Sequence, residues 1–127
     1  MNINPEKLTE KSVEAINGAI EIAKGRSNTE VQQVHLLASL VAQDGGIVGA
    51  LLSKMGADKR SALELGIRRV LDSLPKVSGS NTDVYMSNSC SQTIGRAEEI
   101  AKKMRDDFVS TEHMFLAIIE NPEPSQM

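Results

Sequence analysis

Apolar residues along this chain recur with helical spacing in six stretches, separated by glycines, prolines and short polar runs. Val13, Ile16, Ile20 and Ala23 fall on one face at steps of three and four. This predicts a first helix capped by Thr9, with Glu10 in its first turn and Gly25 at its end. Arg26, Ser27, Asn28 and Thr29 read as a polar turn. Residues 35–42 are apolar on nearly every side (Leu36, Leu37, Ala38, Leu40, Val41), as a buried helix is. Gly45 and Gly46 break the chain before a short helix over 47–55 carrying Val48, Leu51 and Leu52. Gly56 stops that helix, and Asp58 is expected to cap the next, whose stripe is Leu63, Ile67, Val70, Leu71 and Leu74 before Pro75.

Residues 76–88 are rich in Ser, Asn, Thr and Gly and read as a linker. A helix over 89–104 follows, with Cys90, Ile94, Ala97, Ala101 and Met104 on one face. Arg105, Asp106 and Asp107 make a charged turn. Ser110 or Thr111 then caps a last, mostly apolar helix over 113–120.

Two of these stretches are copies. Residues 16–41 align without a gap on residues 94–119, at an offset of 78. Ile16, Ala19, Glu21, Ile22, Ala23, Lys24, Val31 and His35 recur as Ile94, Ala97, Glu99, Ile100, Ala101, Lys102, Val109 and His113. The expected fold is therefore all-α, a single domain over 1–127 built of two pseudo-twofold helical repeats. Repeat one covers about 8–75, with four helices; repeat two covers 89–120, with two. The second repeat looks truncated, as in a fragment of a longer protein.

Composition narrows the function. The 127 residues suit one compact domain. Aromatics are 2% of the chain, so the core must be aliphatic, which favours helices. The net charge is −3, and no basic patch with interleaved aromatics appears, which argues against nucleic acid. No apolar run approaches the roughly 18 residues of a membrane span. A single cysteine and no leader-like N-terminus fit an intracellular chain.

No catalytic or metal site emerges. His35 and His113 each begin an apolar helix without a second ligand at metal spacing, and read as hydrogen-bonded helix-start residues. Cys90 lies on an apolar face and reads as a buried thiol. Glu98 and Glu99 diverge by about 100° on a helix and read as a solvated face. Asp106 and Asp107, near Glu112, form an acidic corner that suits a basic or polar peptide group. The glycines at 45, 46, 49 and 56 fit no phosphate loop. What stands out instead is surplus apolar helix surface, expected to remain as a groove or patch for other chains. A small helical enzyme is the reading from another class, and the pocket of clustered polar residues that it needs is not apparent.

The combination of Leu8-Thr9, Val34-His35-Leu36-Leu37, Asp44-Gly45-Gly46, Leu74-Pro75-Lys76-Val77-Ser78-Gly79 and Asp107-Phe108-Val109-Ser110-Thr111-Glu112-His113 resembles the Clp N-terminal domain. The stretch from Leu74, followed by Asp83-Val84, is most similar to ClpB-type disaggregases. The resemblance implies a chaperone domain with no chemistry of its own, binding unfolded or aggregated polypeptide in a hydrophobic groove. ATP and Mg would belong to AAA+ modules of a longer, cytoplasmic, hexameric stress-response parent, and the isolated domain would be a monomer. The alternative is an adaptor-docking domain of a protease-linked ClpC- or ClpA-type ATPase.

By the same resemblance, Thr9, Asp106 and Glu112 map onto positions that matter for chaperone work, and Ile94 onto a groove wall. Arg96 replaces a family leucine, so the groove edge is more polar or shifted. Gln33-Val34-His35 lacks the acid that Thr111-Glu112-His113 keeps, so the two repeats should not bind alike. A charged residue at Ile94 is then expected to weaken binding and leave helix content intact.

Overall fold

The computed structural model describes residues 5–77 and 84–122. A 3-10 turn at Pro5–Lys7 leads into α1 (Glu10–Gly25), β1 (Glu30–Val31), α2 (Gln33–Ala42), α3 (Ile47–Met55) and α4 (Ala57–Ser73). The second half holds β2 (Tyr85–Met86), α5 (Asn88–Lys103) and α6 (Thr111–Glu120). The fold is all-α apart from two-residue strands, with four helices in repeat one and two among the described residues of repeat two. α2 lies at the centre and packs on α1, α3, α4, α5 and α6. Eight of its ten residues are buried, as its all-round apolar character requires.

The repeat reappears in the local geometry. Thr9 caps α1 by accepting from the Ser12 N–H at 3.1 Å, and Ser87 caps α5 by accepting from the Cys90 N–H at 3.1 Å. Both long helices end alike. The Asn28 N–H donates to the Ala23 carbonyl and the Ser27 N–H to that of Lys24; Asp106 and Arg105 do the same to Ala101 and Lys102. These are Schellman motifs with the left-handed residue at Ser27 (φ 59°) and Arg105 (φ 61°). α1 ends at Gly25, as expected, and the left-handed residue falls two positions later at Ser27.

Strand pairing locks the copies together. β1 runs parallel to β2, Val31 opposite Met86, and Leu8 makes a parallel bridge with Val109. Val31 and Val109 are repeat equivalents, as are Leu8 and Met86, so this is one pairing made twice. Each repeat thus pairs with the lead-in of the other's first helix. Nothing in the apolar pattern announced these two-residue strands. They also reassign the end of the expected linker: Val84 packs on the core, 85–86 form β2, and Ser87 caps α5. Residues 78–83, the middle of that linker, lie outside the described residues.

The core faces of the long helices are narrower than expected. α1 buries Ser12, Ala15, Ala19 and Ala23, while Ile16 and Ile20 are half-buried and Val13 is exposed. Small residues let α1 and α2 approach closely, and polar atoms in the contact are paired. The Ser39 hydroxyl donates to the Ala15 carbonyl at 2.7 Å, and the Ser12 hydroxyl to the Val109 carbonyl at 2.8 Å. α5 buries Cys90, Thr93, Ile94, Ala97 and Ala101, with Met104 exposed. α4 is capped by Gly56, at φ 105°, with Asp58 in the first turn rather than at the cap.

Gly18 owes its place to Ser39. A Cβ at Gly18 would collide with the Ser39 hydroxyl, and the repeat equivalents of this pair are Arg96 and Ala117, where that hydroxyl is absent. Gly18→Ala is therefore expected to lower stability by about 1 kcal/mol, although alanine is the better helix former by a similar amount. Adding Ser39→Ala should recover the loss. Urea unfolding of the two variants measures this, and purely additive effects would refute the coupling.

Candidate functional site

The sequence-expected site residues do not all meet. Thr9 pairs with the chain at Val109, three residues beyond Asp106. The Thr9 N–H donates to the Val109 carbonyl at 3.1 Å, and the Val109 N–H to the Lys7 carbonyl at 2.7 Å. Thr9 is half-buried, and its hydroxyl is engaged: it donates to Ser12 Oγ at 3.0 Å while capping α1. Its visible role is to fix the start of α1 against the repeat-two turn.

Asp106 is held by a buried histidine. His113 Nδ1 accepts from the Ser110 N–H at 2.9 Å, which leaves the ring proton on Nε2. Nε2 then donates to Asp106 Oδ2 at 2.8 Å. The ring is almost wholly buried, while about half of the carboxylate side chain meets solvent. Repeat one builds the same arrangement with a neutral partner. His35 Nδ1 accepts from the Gln32 N–H at 2.8 Å, and Nε2 lies 2.9 Å from Asn28 Oδ1. Asn28 is buried and donates onward to the Pro75 carbonyl. The shared scaffold therefore carries an exposed negative charge in repeat two and a buried amide in repeat one. Burial, reinforced by the nearby Arg26 charge, holds the His35 pKa down at about 4.

A surface pocket of about 350 Å³ opens beside this turn, lined by Lys7, Glu98, Lys102, Asp106, Asp107 and Phe108, with Ala101 and Val109 at its base. Lys7 and Phe108 were missed by the sequence reading. The only hint was Phe108 as an aromatic inside a charged turn, and the half-exposed ring now offers an apolar contact among mixed charges. Glu98, read as solvated, is half-buried on the pocket wall. Its Oε1 is shielded from solvent without a hydrogen-bond partner. Glu99 is exposed, as expected.

Glu112 lies half-buried in the first turn of α6, and Arg96 half-buried midway along α5. Neither lines that pocket. Ile94 is placed differently from its expected groove wall. It has no exposed surface and belongs to the central core, so it offers nothing to a ligand in this fold. Apolar surface is left open at a different place. A mostly apolar cleft of about 250 Å³ runs between α2 and α4, lined by Val34, Leu37, Leu63, Ile67 and Val70.

Chemically, the surface offers apolar contact and paired charges. Among the described residues, no group of three or more His, Cys, Asp or Glu side chains could hold a metal ion. Cys90 is a buried thiol, as expected. No single described helix is long and apolar enough to cross a membrane.

Comparison with known proteins gives a consistent neighbourhood. The family model for the Clp repeat (R) N-terminal domain matches residues 7–126. The chaperone protein ClpB of Clostridium tetani is 35% identical over 123 residues, covering 94% of this chain and 14% of that protein. ClpB of Gloeobacter violaceus is 32% identical over 118 residues, covering 93% and 13%. The chain thus spans about one seventh of the curated relatives it matches. In fold it resembles the Hsp104 N-terminal domain from Candida albicans, with a TM-score of 0.75 at 24% identity, covering 91% of this chain and 75% of that one. The N-terminal domain of the ClpV1 ATPase from E. coli gives a TM-score of 0.80 at 21% identity, covering 92% and 70%.

Proposed function

We propose, from the fact that this chain belongs to the Clp repeat (R) N-terminal domain family, that it captures unfolded or aggregated polypeptide for a ClpB-type AAA+ disaggregase. The observation that carries this reading is the pocket lined by Lys7, Asp106 and Phe108. Phe108 supplies apolar contact there, and a buried histidine orients an exposed carboxylate toward solvent. Such a site recognises short apolar and polar features of a flexible chain and performs no bond chemistry. Glu112, in the first turn of α6, adds a second carboxylate to repeat two outside that pocket. The cleft between α2 and α4 supplies a second apolar contact.

On this reading the domain itself takes no cofactor, and it works in the cytoplasm as a monomeric arm on a hexameric ring. ATP and Mg are used by modules of the parent protein. Adaptor docking, as on ClpC- or ClpA-type ATPases, is the alternative partner mode. The repeat asymmetry weighs against a matched pair of adaptor sites, since Val34 stands where repeat two has Glu112.

The test is a titration of a fluorescently labelled, permanently unfolded polypeptide with the purified chain. Saturable binding is expected without nucleotide, with a Kd on the order of 10 µM, as for weak transient contacts. The same polypeptide in its folded form should not bind. Absence of saturation, or equal binding of the folded form, would contradict the proposal. Selective binding of a folded adaptor alone would favour the alternative.

A further inference from the structure

We propose that the pocket beside the charged turn of repeat two seats an arginine side chain of the bound polypeptide, with Glu98 as its shielded acceptor. The inference rests on the polypeptide-capture reading above and names the side chain that the pocket selects. Glu98 Oε1 carries it. This oxygen is shielded from solvent on the pocket wall and has no hydrogen-bond partner. Lys102 lies four residues on, the spacing at which a glutamate and a lysine pair along a helix. Yet among the described residues no ion pair joins the two. A shielded acceptor without a donor costs the free protein stability that a ligand's N–H would restore.

The internal repeat shows that the scaffold does not need this carboxylate. The repeat-one equivalent of Glu98 is Ile20, which is half-buried and packs on the core. The rest of the pocket has diverged too. Asp106, Asp107 and Phe108 stand where repeat one has Asn28, Thr29 and Glu30. On one backbone frame, repeat two places carboxylates at three positions that hold Ile, Asn and Thr in repeat one.

The chemistry of the wall selects a guanidinium. Asp106 uses Oδ2 to accept from His113, which leaves Oδ1 as a further acceptor. The half-exposed Phe108 ring offers a face for stacking, and Ala101 and Val109 form an apolar floor for a side-chain stem. Lys7 and Lys102 are exposed on the rim and, set against Glu98, Asp106 and Asp107, leave the pocket net negative. Arginine joins an apolar stem to a planar fork of five N–H donors, so a single side chain can serve two carboxylates and stack on a ring. An ammonium is a strongly hydrated point charge and loses more hydration in reaching a shielded oxygen.

The test uses the whole 127-residue protein and the labelled unfolded polypeptide in three forms: with its arginines, with each replaced by lysine, and with each replaced by glutamine. Fluorescence anisotropy gives Kd for each. The expected result is a Kd raised fivefold or more by the glutamine form and threefold or more by the lysine form. In Glu98→Ile and in the milder Glu98→Gln, the three forms should bind within twofold of one another. Urea unfolding should show both variants folded, and Glu98→Ile at least as stable as the parent, as Ile20 implies. Equal affinity for the arginine and glutamine forms, or a preference that survives both Glu98 variants, overturns the proposal and leaves polypeptide capture standing. Equal affinity for the lysine form overturns the guanidinium assignment. Failure of every form to saturate overturns the capture reading, and this one with it.

Discussion

Ile94→Asp is expected to abolish cooperative folding. Ile94 has no exposed surface and packs in the central cluster between the two repeats. Truncating such a side chain costs about 2–5 kcal/mol, and an unpaired carboxylate in its place adds desolvation. The total approaches the whole stability of a typical domain, about 5–15 kcal/mol. Far-UV circular dichroism should show loss of helix, and urea unfolding should lose its sigmoid. Its repeat equivalent, Ile16, is only half-buried, so Ile16→Asp should be the milder change. A folded Ile94→Asp protein with selectively weakened polypeptide binding would restore the groove-wall role that the sequence suggested.

Acid should weaken the fold through His35. Its pKa lies near 4, against an ordinary value of 6.5, because the ring has no exposed surface and sits near the Arg26 charge. Below pH 6.5 the unfolded chain takes up a proton that the folded chain refuses until about pH 4. Stability from this residue is intact above 6.5, falls through the window between, and stops falling below 4. The loss amounts to about 3 kcal/mol across the window. Protonation would also put a hydrogen on Nδ1, which must accept from the Gln32 N–H. His35→Gln is expected to start less stable at pH 7 and to lose most of this slope. Urea unfolding at intervals from pH 7 to 4.5 measures it. An unchanged slope in the variant would assign the acid sensitivity to other groups.

The helices and the duplication were legible because each rests on local rules: apolar spacing, caps, glycines and prolines. The faces were less so. Apolar weight pointed to Val13, Ile16 and Ile20, but α1 packs through alanines spaced for close approach. Ala23 was placed on the packing face, but Ala15 and Ala19 were passed over in favour of larger residues. The β1–β2 pairing and the Schellman turns depend on backbone geometry that a Ser or an Arg does not advertise.

The site shows the same division. Asp106 could be singled out as an acid in a turn. That His113 would hold it, and that Lys7 and Phe108 would complete a pocket with it, required the Leu8–Val109 bridge. Ile94 failed as a site residue for the complementary reason. Its position along α5 was right, but its side chain turns into the core.

The asymmetry between Asn28 and Asp106 supplies an unusually clean variant. Asparagine already performs the structural task in repeat one, accepting from a buried histidine at nearly the same distance. Asp106→Asn should therefore keep the scaffold and remove only the charge; Glu112→Gln does the same at the start of α6. The decisive measurement is the unfolded-polypeptide titration with this double variant beside the parent protein, paired with urea unfolding. The expected result is binding weakened fivefold or more, with stability changed by less than about 1 kcal/mol. Unchanged affinity in a folded double variant would contradict a polypeptide site centred on the charged turn of repeat two.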